Sequence, residues 1–410
     1  MEKQSTEPGK ASSVTWENLD TWVRGHVQGF IQQVLEEEVS EFLGRQKSQR
    51  RRPLEERGYR NGYGKPRRVT LSCGTITVQR PRVRDCAARF VSQVLPLFKR
   101  KSTTIETLVP ELYLHGLALG DFELALRGLL GDGAPLSGST VARLKEKWQG
   151  ELAIWQSRRL DELDAVYCWV DGIYVKAGLE KDKAALLVVL AALSDGRKVI
   201  VAVTPGYRES TESWGAVLRD LRDRGLRPPR LVVGDGHLGI WSALRQVYPE
   251  AEAQRCWNHK IVNVLDKLPK RQQAAGTALL RQIPAAPTRR EAEQRRDQFV
   301  AWCAQHSYAD AAKCVMTDWE RLVTFYRFPQ PHWQHLRTSN PVESPFGAAR
   351  LRTDAAKRFK LVKNATAVIW KMLLVAEHAF RRVKHPELMP VVYRGVTFMD
   401  GMQVEKEVAA

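Results

Sequence analysis

Cysteine is scarce in this 410-residue sequence: six residues, widely scattered, cannot make a disulfide framework. Membrane-length apolar runs are missing, since none reaches the roughly 18 residues that a span requires. The polar start, Met1 to Ser13, has no apolar core of a secretory signal. The chain is therefore expected to be soluble and intracellular, with reduced thiols. Acidic residues are in deficit, 46 Asp+Glu against 64 Lys+Arg, which leaves a formal charge of +18. That balance is unusual for an enzyme of small neutral or cationic substrates and points to a polyanionic partner. With 43% apolar residues the chain can bury one large core and one or two smaller ones, which excludes wholesale disorder.

Residues 16 to 44 place Trp16, Leu19, Trp22, Val23, Val27, Phe30, Ile31, Val34, Leu35, Val39 and Phe42 at spacings of three and four, ending at Gly44. This predicts an amphipathic helix. From Arg45 to Lys101 there are 17 Lys/Arg against three acids, so most of the positive excess sits here. Within it RRVTLSCGTITVQRPRVR alternates as two short strands turning near Cys73–Gly74. Arg50, Arg51, Arg52, Arg60, Lys65, Arg67 and Arg68 can lie along phosphates, or can be a solvated charged face. Residues 103 to 160 read as helices, with Asp121 and Ser139 as N-caps. Two of these helices flank a Gly-containing break, and the second carries Arg143 and Lys147. They suit a helix-turn-helix reader of DNA, although the turn is long and a plain helical linker is the alternative.

After Asp161 three β-branched runs, a helix, the short strand RLVVGDG, a second helix and AEAQRCWNHK follow in the order β-β-β-α-β-α-β, a mixed α/β sheet. The boundaries expected are 1–102 for an N-terminal helix plus basic hairpin and 103–160 for the helical region. An α/β catalytic domain would take 161–390, with a helical insertion at about 262–335, and a tail 391–410. Three acids stand out. Asp171 interrupts an apolar strand, where an unpartnered carboxylate is costly; a metal cation is one candidate partner, and a tight Asp-Gly turn is the alternative. Asp235 ends the strand LVVGDG at the carboxyl edge where α/β folds bind ligands, with the same alternative of a turn. Glu343 follows Asn340 and Pro341 in a capping-box pattern that alone is more often structural. Taken together, the order first strand, fourth strand, late helix is the one a ribonuclease-H-like sheet uses to converge three carboxylates on two divalent ions.

On DGIYVK (171–176), GDGHLG (234–239), QRCWNH (254–259) and TSNPVES (338–344), in that order, the sequence resembles the mutator-type bacterial transposases of the IS256 group, from about Arg60 to Ala376. It departs from them at His237-Leu238. The resemblance implies an RNase-H-like mixed-sheet core with a helical insertion, preceded by a mainly helical, basic N-terminal region. It further implies a DDE triad of Asp171, Asp235 and Glu343, a Cys-x-x-His signature at Cys256 and His259, and a basic residue at Arg350. Such an enzyme would hold two Mg²⁺ ions, with Mn²⁺ as a substitute, on those three acids. It would act on terminal inverted repeats and target DNA as a homodimer or larger assembly at the bacterial nucleoid, by copy-out through a circular intermediate. The rivals are an inactive transposase-derived DNA-binding protein and an RNase-H-fold nuclease without strand transfer.

Cys303 and His306 repeat the Cys-x-x-His spacing, so a four-ligand zinc site is conceivable, but His259 hydrogen-bonding near an acid is the simpler expectation. Trp257, Trp302, Trp319, Trp333 and Tyr326 are expected in the core, with one or two open to base stacking.

Overall fold

The structure, a computed structural model, describes residues 14–50, 52, 58–117, 126–127, 130, 138–177, 184–206, 210–236, 238–356 and 358–404. The chain divides into two compact units, residues 1–142 and 143–410.

In the first unit the expected helix forms as α1 (Leu19–Leu43), closed by Gly44 in the left-handed conformation. The basic segment folds as β1 (Tyr59–Tyr63), β2 (Arg67–Leu71), β3 (Gly74–Val78) and β4 (Pro81–Arg84), with β2 pairing β3 and β1 pairing β4, both antiparallel. Leu35 of α1, Val69, Ile76, Val78 and Leu95 make its core. Helix α1 also covers the open edge of β3 with side-chain amides. Gln32 both donates to the Gln79 carbonyl and accepts from its N–H at 2.9 Å, and Gln28 accepts from Thr77 N–H. An edge so occupied cannot template another strand. Helix α2 (Thr103–Leu114) follows. Asp121 and most of the expected helix-turn-helix lie outside the described residues.

Helix α3 (Gly138–Ser157) leads into the second unit. Strands β5 (Ala165–Val175), β6 (Ala184–Leu193) and β7 (Lys198–Gly206) form antiparallel neighbours. After α4 (Thr211–Asp223) comes β8 (Leu231–Gly234), and after α5 (Leu238–Val247) comes β9 (Glu252–Arg255). The last two strands run parallel to β5, so the sheet order is β7-β6-β5-β8-β9, a mixed α/β architecture. Successive residues of β5 point to opposite faces. Cys168 and Val170 join Trp214, Leu218, Trp241 and Leu244 in the core under α4 and α5. Tyr167 and Trp169, on the other face, bond to His332 and to the His335 carbonyl.

Residues 257–336 are mostly helical: α6 (Trp257–Leu265), α7 (Gln273–Gln282), α8 (Arg289–Gln305), α9 (Ala309–Met316), α10 (Trp319–Leu322) and α11 (Trp333–Leu336). Then follow α12 (Asn340–Glu343), α13 (Phe346–Ala355) and α14 (Val362–Glu377). Trp257, Trp319, Trp333 and Tyr326 are core residues, as expected, whereas Trp302 is half-buried against His306 and Tyr308. Among the described residues no helix is long and apolar enough to cross a membrane.

His335 sits at the back of the sheet with Nε2 accepting from Lys384 N–H. Burial, and the nearby charges of Lys198, His332 and Lys384, push its pKa down to about 4 from 6.5. Below pH 6.5 the unfolded chain therefore takes up a proton that the folded state refuses until about pH 4, and stability falls as pH drops through that window. His332, buried between the Tyr167 hydroxyl and the His385 carbonyl, is shifted in the same direction, chiefly by burial. Denaturant titrations between pH 7 and pH 4 should show this loss, and His335→Gln should remove about 1–2 kcal/mol of it.

Candidate active site

Asp171 lies within β5, paired with Val188 of β6, so its Asp-Gly step is not a hairpin turn. It is only 9% exposed, and its Oδ1 accepts from Gly172 N–H at 2.8 Å. The parallel register sets Tyr167 against Leu231, Cys168 against Val232 and Trp169 against Val233. Asp235 follows β8 directly, two residues past the last paired position, at the end of the strand beside the one that carries Asp171. The two strands touch closely there: a Cβ on Gly234 would sit 3.0 Å from Val170 Cγ2.

Gly236, next to Asp235, has φ +108°, and a side chain on it would occupy the position of Arg255 Nε. Arg255, at the end of β9, is pinned by Asp318 at 2.6 Å, and Asp318 also accepts from Arg321 at 2.8 Å. The loop carrying Asp235 is thus wedged against a guanidinium that α10 holds from behind.

Glu343 reaches this edge by a different route. Helix α12 packs against β5 and β6. Its N-cap is Ser339 rather than Asn340, one residue earlier than the Asn-Pro pattern suggested. The capping box does not form either: the Ser339 hydroxyl donates to the Glu343 carboxylate, and Ser339 N–H donates to Cys256 Sγ at 3.3 Å. Freed from capping, the Asn340 side chain accepts from Asn258 Nδ2 at 2.9 Å.

Cys256 and His259 do not lie on a strand. Strand β9 stops at Arg255, Cys256 caps α6, and His259 is in its first turn. The expectation from AEAQRCWNHK is one strand, but Trp257, Lys260 and Val264 are buried at helical spacing. Cys256 N–H donates to the Gly234 carbonyl at 2.7 Å, and Trp257 N–H to the Arg337 carbonyl at 2.9 Å. His259 Nδ1 stands 3.4 Å from Ser339 Oγ and 3.8 Å from Glu343 Oε1. A hydrogen bond with Cys256, and then the charges of Glu343 and Asp235, raise its pKa to about 9. Burial pushes the Cys256 thiol up, but hydrogen bonds from His259 and Ser339 outweigh this and lower its pKa. Cys303 and His306 do not join this group: Cys303 is in the core, and His306 is exposed beside the Trp302 carbonyl.

The structure therefore brings Cys256, His259 and Glu343 within 4.8 Å of one another, with Cys256 bonded to Gly234, beside Asp235; Asp171 stands on β5, against which α12 packs, and among the described residues the three acids do not themselves draw that close. The basic residues are divided in their roles. Arg60 is tied to Glu36 at 2.8 Å and to Ser40 at 2.7 Å, and Arg67 to the Pro96 and Lys99 carbonyls. Arg50, Arg52, Lys65 and Arg68 are exposed, and Arg51 lies outside the described residues, as does His237. On α3, Arg143 and Lys147 are exposed, Lys147 lying 3.7 Å from Glu151. Arg350 is exposed on α13, two turns beyond Glu343. Ser344 and Pro345 keep helical backbone between α12 and α13, although proline interrupts the hydrogen-bond ladder. Sequence reasoning missed Arg255, Asn258, Asp318 and Ser339. The polar residues inside QRCWNH and TSNPVES were the available signal, but Asp318 gave none.

The profile described as transposase, Mutator family, matches residues 2–382. The chain is 42% identical over 299 residues to the transposase for insertion sequence element IS6120 of Mycolicibacterium smegmatis, covering 73% of this chain and 92% of that one. It is 39% identical over 280 residues to the transposase for IST2 of Acidithiobacillus ferrooxidans, covering 68% and 94%. To the transposase for IS256 in transposon Tn4001 of Staphylococcus aureus it is 24% identical over 334 residues, covering 81% and 82%.

Gly236→Ala tests the wedge beside Asp235. It should cost on the order of 1–3 kcal/mol in unfolding free energy and lower transposition frequency in a plasmid assay, while the Ala substitution of exposed, helical Gly347, which meets nothing within 4 Å, should not destabilise the fold.

Proposed function

This chain belongs to the Mutator family of transposases, and we propose that it is a DDE enzyme in which Asp171, Asp235 and Glu343 are the catalytic acids. The reading rests above all on one observation: the residues 256–259 bond at once to Gly234, beside Asp235, and to Ser339, which holds Glu343. The strand order, with three antiparallel strands followed by two parallel to the first, supports an RNase-H-like core. The domains would be a DNA-binding basic region, 1–102, a helical region, 103–160, and a catalytic domain, 161–390, carrying the insertion.

The donor set fits Mg²⁺, or Mn²⁺ in its place: three carboxylates offer hard oxygens, and Asp171 presents one inside an otherwise apolar strand. Asp171 would serve two ions, Asp235 one of them and Glu343 the other; when bound, such a pair lowers the pKa of an attacking water and stabilises the leaving oxygen. The protein contributes orientation. The Ser339 hydroxyl fixes the Glu343 carboxylate, and Arg255 fixes the Asp235 loop. His259, protonated at neutral pH, balances Glu343 and can donate to a phosphate oxygen. Arg350, exposed on α13 two turns beyond Glu343, would hold DNA flanking the scissile bond. No protein nucleophile takes part, so a DNA 3′-hydroxyl can stand in for water, which makes strand transfer available to the same site. The substrates would be the inverted repeats of the chain's own element and target DNA, joined in a dimer or larger assembly at the nucleoid.

Asp171→Asn should lower excision and integration by at least on the order of 10³-fold while sparing DNA binding. Equal mobility of this variant and the wild type would overturn the catalytic assignment. Purified protein given Mg²⁺ and a pre-cut 3′-OH end should yield joined product; cleavage without joining would instead identify a nuclease.

Replacing Arg50, Arg51 and Arg52 together with Ala should weaken DNA binding and reduce the slope of log K against log salt by about 0.9 for each phosphate that is no longer neutralised. An unchanged slope would mark the cluster as a solvated face.

A further inference from the structure

We propose that Cys256, His259 and Glu343 form a separate binding site for Zn²⁺, and that zinc held there takes Glu343 out of use and inhibits the enzyme. The inhibition rests on the catalytic role proposed for Glu343; the binding site does not.

A pair of hard cations on three carboxylates has no need of a thiol or an imidazole. Yet a Cys sulfur, a His nitrogen and a carboxylate oxygen lie here within 4.8 Å of one another. Zinc bonds of about 2.0–2.3 Å in tetrahedral array set ligand atoms about 3.5 Å apart, so modest side-chain rotation would close the site. Three protein ligands leave the fourth position to water. The surroundings suit a metal-bound thiolate. Ser339 N–H already donates to Cys256 Sγ, and Cys256 stands at the N-terminus of α6. Access is available too: Cys256 is fully buried, but the His259 and Glu343 side chains are 35% and 28% exposed. The same geometry explains the competition. The Glu343 oxygen nearest His259 is also the one that Ser339 holds, so a zinc ion on that oxygen displaces the hydrogen bond that orients the carboxylate and occupies an oxygen that the catalytic ions need.

The test uses the full chain and Co²⁺ as a visible stand-in for zinc. Titration should give a thiolate-to-cobalt charge-transfer band that saturates at one ion per chain and is abolished by added Zn²⁺. Cys256→Ser should remove the band, and His259→Gln should weaken zinc binding 10–100-fold in competition with a chromophoric chelator. Wild type without the band, or a folded Cys256→Ser variant that keeps it, overturns the site; if Cys256→Ser does not fold, unaltered zinc affinity in His259→Gln does so. Micromolar Zn²⁺ should suppress Mg²⁺-dependent cleavage, and His259→Gln should need at least tenfold more zinc for equal fractional loss. Asp171→Asn should keep the cobalt band while losing cleavage. A variant that keeps both would defeat the catalytic reading and leave the zinc site standing.

Discussion

Cys256 is held from two sides, by the Gly234 carbonyl accepting its N–H and by Ser339 N–H donating to its sulfur, and this double attachment fixes how the sheet meets the segment 337–343. About 80 residues separate the two ends so joined. The length-dependent part of closing a loop that long costs about 4 kcal/mol in chain entropy. Four hydrogen bonds offset it at about 1 kcal/mol each: Trp257 to Arg337, Asn258 to Asn340, Ser339 to Cys256 and His259 to Ser339. Helices α6 to α11 can therefore project from the sheet as an insertion without loosening the edge on which the proposed acids stand.

The second constraint is that β5 must serve two faces. Its Cys168–Val170 face is covered by α4 and α5, an ordinary apolar core. The opposite face carries Tyr167 and Trp169, then Asp171 toward the carboxyl end. Tyr167 spends its hydroxyl on His332, Trp169 its N–H on the His335 carbonyl, and Asp171 lies one step further along, toward the edge. Two large buried aromatics with satisfied polar ends fill the middle of this face and leave Asp171 as its first carboxylate.

Much of this was legible from the chain. Continuous apolar, β-branched runs between Gly-containing turns gave β5 to β7, and the switch to helical spacing gave α4 and α5. The acids at positions 171 and 235 were visible because a carboxylate in or just after an apolar strand has no packing reason to be there. What failed was short-range pattern reading at element ends. AEAQRCWNHK reads as one strand, yet Lys260 and Val264, buried at helical spacing from Trp257, decide for a helix from Trp257 on. Asn-Pro reads as a cap and first turn, yet Ser339 caps because its N–H has a sulfur to bond and Asn340 has Asn258. Arg60 and Arg67 looked like phosphate ligands by charge alone. Their partners, Glu36 and two backbone carbonyls, come from segments 24 to 32 residues away, and no local pattern announces them.

Arg255 and Asp318 carry the same lesson into energetics. A buried ion pair contributes little net stability, because desolvation consumes most of the Coulombic gain. Arg255 is costlier still, since its Nε has no hydrogen-bond partner among the described residues. Packing alone would be served as well by an apolar side chain at 255. What the pair supplies is a fixed position: a flat guanidinium, held by Asp318, lies against the backbone of Gly236 and allows the Asp235 loop one course. Because Asp318 belongs to the helical insertion and Asp235 to the sheet, a shift of α10 would move the wedge and with it the carboxylate. The sheet edge and the insertion are therefore coupled twice, through Cys256 and through Arg255, and both couplings converge on the residues flanking Asp235.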